Sequence, residues 1–215
     1  MYAPVTIAQP ATPLAPVGIL STTAPTIALP VRTALEVRSS ELNVLEGRQA
    51  TFTGTLREAH RADLPGRVVT LQALGRHGWS TLARTHTGPR GRFRLRYEPR
   101  RIGSDWVRLR FAGAGGELAA RRRLGRLNVY RLALASWYGG GGGMACGGTL
   151  TSSTLGVANK TLPCGTLVTL RYGGHSVRVP VVDRGPYVAG REFDLTEATK
   201  QALGFGGVGE VWSTS

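Results

Sequence analysis

The stretch VVDRGPYVAGREFDLT, residues 181–196, sets two aspartates on either side of a sharp turn. A run of valines predicts a buried strand that ends at Asp183, so this carboxylate emerges where the strand leaves the core. Gly185–Pro186 then turns the chain away. The second aspartate, Asp194, leads into a short helix that we predict from Thr196 to Leu203, with Asp194 or Thr196 as its cap.

The position of Asp183 is suited to proton transfer. Burial at the apolar mouth of a fold raises the pKa of a carboxyl group, which can then act as a proton donor. Cleavage of a glycosidic bond requires such a donor. The residues also allow a purely structural role, in which Asp183 pairs with Arg184 or caps a turn and Asp194 only caps the helix.

The sequence around this stretch consists of strands with glycine-rich connections. From residue 131 onward glycine and small residues dominate, and together with one short helix they predict a compact barrel. Five consecutive glycines, residues 139–143, form either a flexible loop that closes over a substrate or a tolerated insertion. The second interpretation is favoured because ordering a glycine run costs conformational entropy.

Five motifs in this part of the chain resemble those of the rare lipoprotein A (RlpA)-like double-psi β-barrels, and more distantly those of barwin, the expansins and family-45 glycosidases. In order they are ASWYG (135–139), ACGGTL (145–150), ANKTLPCGT (158–166), VVDRGPYVAGREFDLT (181–196) and GVGEV (207–211). The resemblance implies a six-stranded double-psi β-barrel over residues 131–215.

Members of this family include lytic transglycosylases that cleave peptidoglycan glycan strands. The resemblance implies that Asp183 is the general acid/base, which protonates the leaving oxygen and then takes the proton of the muramic C6 hydroxyl. It further implies that Tyr138, Asn159, Arg184 and Asp194 bind substrate. No cofactor and no metal are expected.

The chain departs from the family at one position. Members that cleave glycan typically carry histidine in an AHKTLP-like segment, where this chain has Asn159. Asparagine can hydrogen-bond a sugar or a carboxylate but cannot exchange a proton near neutral pH. A non-catalytic, expansin-like module that binds or loosens the wall is therefore the alternative to a lytic transglycosylase.

The two cysteines, Cys146 and Cys164, lie within these motifs. In an extracytoplasmic protein they would suggest one disulfide, whereas in a cytosolic protein two thiols would mean little. Neither belongs to a CxxC pair, which argues against a metal site. A bridge between them would tie the glycine-rich loop to the LPCGT segment and hold one wall of the groove.

Between residues 35 and 130 the pattern is one of short alternating strands. Segments with period-two alternation are LEVRS, QATFTGTL, RVVTLQAL, STLARTHT, GRFRLRYEP and DWVRLRFAG. They predict a β-sandwich, and LPGRVVTLQ (64–72) with GRFRLRY (91–97) resembles bacterial immunoglobulin-like modules. The side chains expected to face inward are Phe93, Leu95, Tyr97, Leu109, Phe111 and either Trp106 or Val107. The fold class is thus all-β, an immunoglobulin-like sandwich followed by the barrel.

The net charge of +14 belongs mostly to the predicted sandwich. Residues 35–130 carry 19 arginines against 8 acidic residues, a net +11. Either a GC-rich codon composition or a selected anion-binding surface explains this excess.

We expect peptidoglycan glycan as the partner of the barrel, with anionic wall polymers as candidates for the arginine-rich sandwich. In a third, weaker interpretation, adhesion by this sandwich is the function and the barrel is a scaffold. No motif predicts specific nucleic-acid binding, and a monomer is expected.

Residues 1–34, rich in proline, alanine and threonine, are predicted to be a disordered leader or linker. They lack the charged start and clean apolar stretch of a signal peptide. A remnant of an exported leader, a mis-assigned start and a wall-spanning linker all stay open. No apolar run reaches the roughly 18 residues of a membrane-spanning helix. The wall-directed resemblance predicts a secreted or periplasmic protein associated with the cell wall.

Overall fold

The computed structural model describes residues 29–59 and 62–215, so most of the predicted leader or linker lies outside the described residues. Within them the chain is all-β apart from a 3-10 turn (Pro89–Gly91) and the helix α1 (Glu197–Leu203). The strands are β1 (Thr33–Ser40), β2 (Asn43–Leu45), β3 (Ala50–Glu58), β4 (Val68–Gly75), β5 (Gly78–His86), β6 (Arg92–Tyr97), β7 (Gly103–Phe111), β8 (Ala120–Tyr138), β9 (Gly142–Gly143), β10 (Thr149–Leu150), β11 (Val157–Ala158), β12 (Leu167–Tyr172), β13 (His175–Asp183), β14 (Phe193–Thr196) and β15 (Gly209–Ser213).

The first half of the chain folds into two sheets around one hydrophobic core. One sheet has the order β1-β3-β6, and the other contains β5-β4-β7-β8 with β2 paired to β8. Inward-facing residues alternate with exposed ones, as expected for strands with one wet face. Of the two candidates for the inward position on β7, Val107 faces the core, whereas Trp106 faces outward and is 49% exposed. The likeness to immunoglobulin-like modules stays a prediction.

The second half closes into a six-stranded barrel. Its strands follow the order β14-β11-β13-β12-β15-β8, and β8 pairs again with β14 to complete the ring. Two of the strand pairs in the ring are parallel, namely β11 with β13 and β14 with β8. The interior is filled by small and branched apolar side chains from all six strands, with Phe193 as the largest fully buried one. This closed architecture agrees with the predicted double-psi β-barrel.

A single strand links the two halves. β8 runs from Ala120 to Tyr138 without interruption, pairing with β7 in its first part and with β15 and β14 in its second. Period-two alternation did not predict this strand as one element, because its first residues are consecutive arginines. The proposed boundary between residues 130 and 131 falls inside it and stays a prediction.

Tyr130 lies on β8 between Val129, which pairs with β7, and Arg131, which pairs with β15. Its side chain is fully buried, its ring packs 5.7 Å from that of Trp212, and its hydroxyl donates to Asn43 Oδ1 at 2.7 Å. The tyrosine thus couples a barrel strand to the edge strand β2 of the sandwich. Burial raises the pKa of Tyr130, so this donor keeps its proton at neutral pH.

The helix α1 begins one residue after its predicted start. Thr196 is its cap and its hydroxyl accepts from the Thr199 amide, while Gly204 ends the helix in the left-handed conformation. Both threonine hydroxyls also bond the backbone of Gly156, immediately before β11. The helix therefore fixes the entry to the shortest strand of the barrel. It is too short and too polar to cross a membrane, as is every helix in the described residues.

We predict that Tyr130→Phe lowers the free energy of unfolding by about 1 kcal/mol, because it removes one buried hydrogen bond and keeps the ring. Urea denaturation followed by tryptophan fluorescence measures the change. Tyr172→Phe is the matched control, since the Tyr172 ring packs on Phe205 and its side chain is partly exposed. Equal stability of the wild type and Tyr130→Phe would contradict the coupling role.

Candidate active site

Strand pairing places the two aspartates in one row across the barrel. Ala158 on β11 pairs with Asp183 on one side and with Asp194 on the other. Asp194 in turn pairs with Ser136 on β8. The two carboxylates are therefore separated by one strand that carries only a methyl group, and neighbouring strands lie about 4.8 Å apart.

A β-bulge brings Asp183 into this row. Val157 pairs with Val181, but the next residue, Ala158, pairs with Asp183, so Val182 is the extra residue. Simple alternation would put Asp183 on the same side as the buried Val181. Bulges re-aim side chains in this way and are frequent beside active sites.

The Asp183 carboxylate is held by backbone donors. Its Oδ1 accepts from the amides of Ala145 and Arg184, both at 2.8 Å. The carbonyl of Asp183 accepts from the amide of Asn159 at 3.1 Å. These bonds fix the orientation of the half-buried carboxylate through one oxygen and leave the other without a backbone donor among the described residues.

Tyr138 lies beside both carboxylates. Burial raises the pKa of its hydroxyl, and the charges of Asp183 and Asp194 raise it further, so the hydroxyl stays protonated at neutral pH. The oxygen is buried, yet it makes no hydrogen bond of good geometry to any residue that the structure describes. Tyr138 is thus a proton-bearing donor placed next to the row of aspartates.

Asp194 is engaged by a neighbour on β8. Its Oδ1 accepts a short hydrogen bond from the Ser136 hydroxyl. It does not cap the helix, because Thr196 does. Sequence reasoning missed Ser136, although its place in the ASWYG motif, two residues before Tyr138, puts both side chains on one face of a strand.

Asn159 is 8% exposed, and its side chain bonds mainly to backbone, with one longer bond of 3.5 Å accepted from the Thr161 hydroxyl. Its Oδ1 accepts from the amides of Thr161 and Leu162 at 3.0 and 2.9 Å, and its Nδ2 donates to the carbonyl of Glu192 at 2.9 Å. Asparagine side chains form such turns readily. The amide therefore fastens the loop after β11 to the segment before β14.

Arg184 stabilises the same loop. Its guanidinium donates to the carbonyls of Asn159 and Leu162 at 3.1 and 2.8 Å and lies 3.1 Å from Cys164 Sγ. Only the backbone amide of Arg184 contacts the Asp183 carboxylate. The side chain is thus an organiser of the loop rather than an ion-pair partner of Asp183.

A disulfide joins Cys146 to Cys164, with their Cα atoms 5.6 Å apart. Cys146 also donates its amide to the carbonyl of Val182 at 3.2 Å. The glycine run before it folds back as a hairpin, because β9 pairs with β10 and Gly140, Gly141 and Gly142 take positive φ. Together these contacts bring the Ala145 amide to Asp183.

Two exposed aromatic residues flank the row. Tyr187, in the turn after Asp183, is 82% exposed, and Trp137 is stacked beneath the Lys200 ammonium at 3.7 Å. Sequence reasoning did not single out Tyr187, although it lies within the DRGPY motif.

No cluster of three or more histidine, cysteine, aspartate or glutamate side chains suited to a metal exists in residues 29–59 and 62–215.

We predict that the Cys146→Ala/Cys164→Ala variant loses about 3 kcal/mol of unfolding free energy, because it reopens a loop of this size in the unfolded chain. Thermal and urea denaturation of the variant, and of the wild type with and without reductant, measure the loss. The reduced wild type should match the variant. Unchanged stability in both would contradict the bridge's structural role.

We predict that Asn159→Ala destabilises the protein by about 1–3 kcal/mol, since it leaves two amides and one carbonyl without their partner. Asn159→Asp is the comparison variant, because it keeps an acceptor for both amides, replaces the donor to Glu192 with an oxygen and adds one negative charge. If the two contacts of Oδ1 dominate, it loses less stability than Asn159→Ala in the same urea denaturation. Equal losses would show that the turn contacts of Oδ1 contribute little.

Comparisons with known proteins match the barrel. A family model described as lytic transglycolase matches residues 132–212. Over 75 residues the chain is 44% identical to the probable endolytic peptidoglycan transglycosylase RlpA of Aquifex aeolicus, a match covering 33% of either protein. It is 36% identical over 110 residues to the Synechocystis sp. protein of the same name, covering 44% of this chain and 34% of that protein. It is also 38% identical over 79 residues to the endolytic peptidoglycan transglycosylase RlpA of Rickettsia bellii, covering 33% of this chain and 35% of that protein.

The chain thus spans about a third of the length of these relatives. The family model falls on the region that carries the closed barrel and the row of aspartates. Residues 132–212 form a double-psi β-barrel domain of the RlpA-like family.

Proposed function

We propose that this protein cleaves peptidoglycan glycan strands as a lytic transglycosylase, with Asp183 as its general acid/base. The observation that carries the proposal is the bulge that turns Asp183 out of the core and aligns it with Asp194 beside Tyr138. The names of the relatives agree with it, since each is named as a probable or assigned endolytic peptidoglycan transglycosylase.

A lyase of this type needs one carboxyl group at the scissile bond. Protonated Asp183 donates its proton to the leaving glycosidic oxygen, and the same carboxylate then takes the proton of the muramic C6 hydroxyl as the anhydro ring closes. No water is consumed. Ala145 and Arg184 hold one oxygen of the group in place through their amides, so the other is available for both transfers.

Tyr138 and Asp194 would bind the sugar rather than exchange protons with it. The Tyr138 hydroxyl stays protonated and is buried beside Asp183, so it would donate to a sugar oxygen only after the groups that cover it move aside. Asp194, oriented by Ser136, can accept from a sugar hydroxyl. Tyr187 presents an exposed ring at the turn after Asp183, where the apolar face of a sugar ring can pack.

Asn159 and Arg184 take organising roles in this proposal. Both side chains are occupied by the backbone of the loop after β11, so they shape the groove without contacting the glycan. The same observation favours a second candidate function. Without a titrating residue at position 159, the barrel could hold glycan as a non-catalytic, expansin-like module.

We also propose that the protein works outside the cytoplasm, in the periplasm or at the cell wall. The Cys146–Cys164 disulfide supports this location, because such bridges persist in oxidising compartments and are rare in the cytosol. The location agrees with a polymeric wall substrate.

The decisive variant is Asp183→Asn, which removes the proton donor while its side-chain oxygen can still accept from both amides. We predict that it reduces release of anhydro-muramic fragments by at least about 100-fold, the usual contribution of a general acid/base. Purified protein is incubated with sacculi and with glycan strands stripped of peptides, and soluble products are identified by mass spectrometry.

The control is Asp105→Asn, which changes the same group on the surface of the sandwich, where Asp105 faces Arg101 at 3.9 Å. It should release fragments at the wild-type rate. If wild type and Asp183→Asn both release nothing yet both pellet with the glycan, the barrel is a binding module. Fragments with reducing ends instead of anhydro ends would mean hydrolysis, which normally uses a pair of carboxylates.

A further inference from the structure

The outer face of the sheet β5-β4-β7-β8 carries a concentration of arginine and tryptophan. We call it the Arg/Trp face and define it by Trp79, Trp106, Arg108, Arg110, Arg121 and Arg123. It lies on the sandwich, whereas the row of aspartates lies in the barrel. Its residues take no part in the proposed cleavage.

The four arginines of this face stand directly opposite one another. In the antiparallel pairing of β7 with β8, Arg108 is the partner of Arg123 and Arg110 is the partner of Arg121. Like charges in opposed cross-strand positions destabilise a sheet. Burial lowers the pKa of Arg108, and the charges of the other three arginines lower it further. Folding therefore concentrates positive charge here at a cost.

The described chain offers no counter-charge to this cluster. Among the strands β4, β5, β7 and β8 the acidic residue is Asp105, and its carboxylate faces Arg101. The ion pairs of the described residues use other arginines, namely Arg57, Arg67, Arg101 and Arg131. An external anion can supply what is missing.

Aromatic rings lie among these charges. The Arg108 guanidinium is 4.0 Å from the Trp79 ring centroid, and Arg126 lies 4.6 Å above the half-exposed ring of Trp106. A shallow cavity of about 180 Å³ is lined by Leu74, Trp79, Trp106, Val107 and Arg123. The face thus combines flat apolar surfaces with forked cationic donors.

We propose that the Arg/Trp face binds an acidic polysaccharide. A sugar ring has an apolar side that packs on an aromatic ring, and a carboxylate on that sugar matches the two-pronged donor of arginine. The opposed arginines then gain the anionic partners that the chain itself does not provide. Binding here would hold the protein on an anionic wall polymer while the barrel acts on glycan.

Two rival explanations are weaker on the structure. A larger groove on the other sheet, about 680 Å³, is lined by Arg38, Arg90, Arg92 and Arg94, but its aromatic residue, Phe93, is buried. Single-stranded nucleic acid also combines stacking with charge. The disulfide argues against it, since the protein then works in an oxidising compartment outside the cytosol.

The test measures binding of the full chain to polygalacturonate, with amylose as the uncharged polysaccharide. We predict that Arg121→Gln/Arg123→Gln, which relieves both opposed pairs, weakens polygalacturonate binding at least about tenfold. Its melting temperature should stay equal or rise, because repulsion is removed. A purely structural role of these arginines would lower the melting temperature.

The matched control is Arg92→Gln/Arg94→Gln, which removes the same charge from the other sheet and should change binding less than about twofold. Trp106→Ala should weaken binding to polygalacturonate and leave binding to polyphosphate, which has no rings, unchanged. Equal losses in both arginine pairs would overturn the proposal in favour of diffuse attraction. If the protein binds oligothymidylate more tightly than polygalacturonate, and Trp106→Ala weakens both to the same degree, the proposal is overturned in favour of nucleic acid.

Asp183→Asn should bind polygalacturonate as the wild type does. Loss of glycan cleavage in the barrel and loss of polysaccharide binding on the sandwich are therefore separate results. Either can fail without the other.

Discussion

The two-residue strand β11 is the element on which both the barrel and its site depend. Val157 and Ala158 pair with β13 on one side and with β14 on the other, and without them the ring of six strands would be open. So short a strand has little pairing energy of its own. It is held by its surroundings: the hydroxyls of Thr196 and Thr199 bond Gly156 before it, the Asn159 side chain bonds Glu192 after it, and the Arg184 guanidinium donates to the Asn159 carbonyl.

The groups that hold the two aspartates and the neighbouring loop are mainly uncharged hydrogen-bond donors. Backbone amides orient Asp183, a serine hydroxyl orients Asp194, and an asparagine amide fixes the neighbouring loop. Hydrogen bonds of this kind orient the two carboxylates without placing a further charged side chain beside them. The sandwich differs in this respect, because the Arg/Trp face places arginines opposite one another without acidic partners among the described residues.

The strands, the inward residues and the position of Asp183 could be predicted from the sequence, because each depends on local pattern. Features that depend on pairing between distant strands could not. Alternation in RFRLRY and in VRLRF predicts strands and the inward residues Phe93, Leu95, Leu109 and Phe111, because one face is wet and the other is packed. The block around Asp183 predicts the turn, the helix and the presence of a carboxylate at the strand end. The bulge at Val182 could not be predicted, since register depends on partner strands that local sequence does not specify. The long strand β8 was missed as one element because tertiary pairing with strands of both halves, not local pattern, makes it continuous.

Asn159 shows how the departure from the family can be understood from contacts. At this position the side chain must supply two acceptor contacts to following amides and one donor contact to the segment before β14, and asparagine supplies them with a single planar group. In the proposed mechanism the proton transfers fall on Asp183, beside a Tyr138 hydroxyl that stays protonated. The proposed lyase mechanism needs only one group that both gives and takes a proton, so residue 159 would take part in neither transfer. The contacts of Asn159 thus fix the shape of the loop, and in the proposed mechanism the chemistry depends on how the bulge presents Asp183.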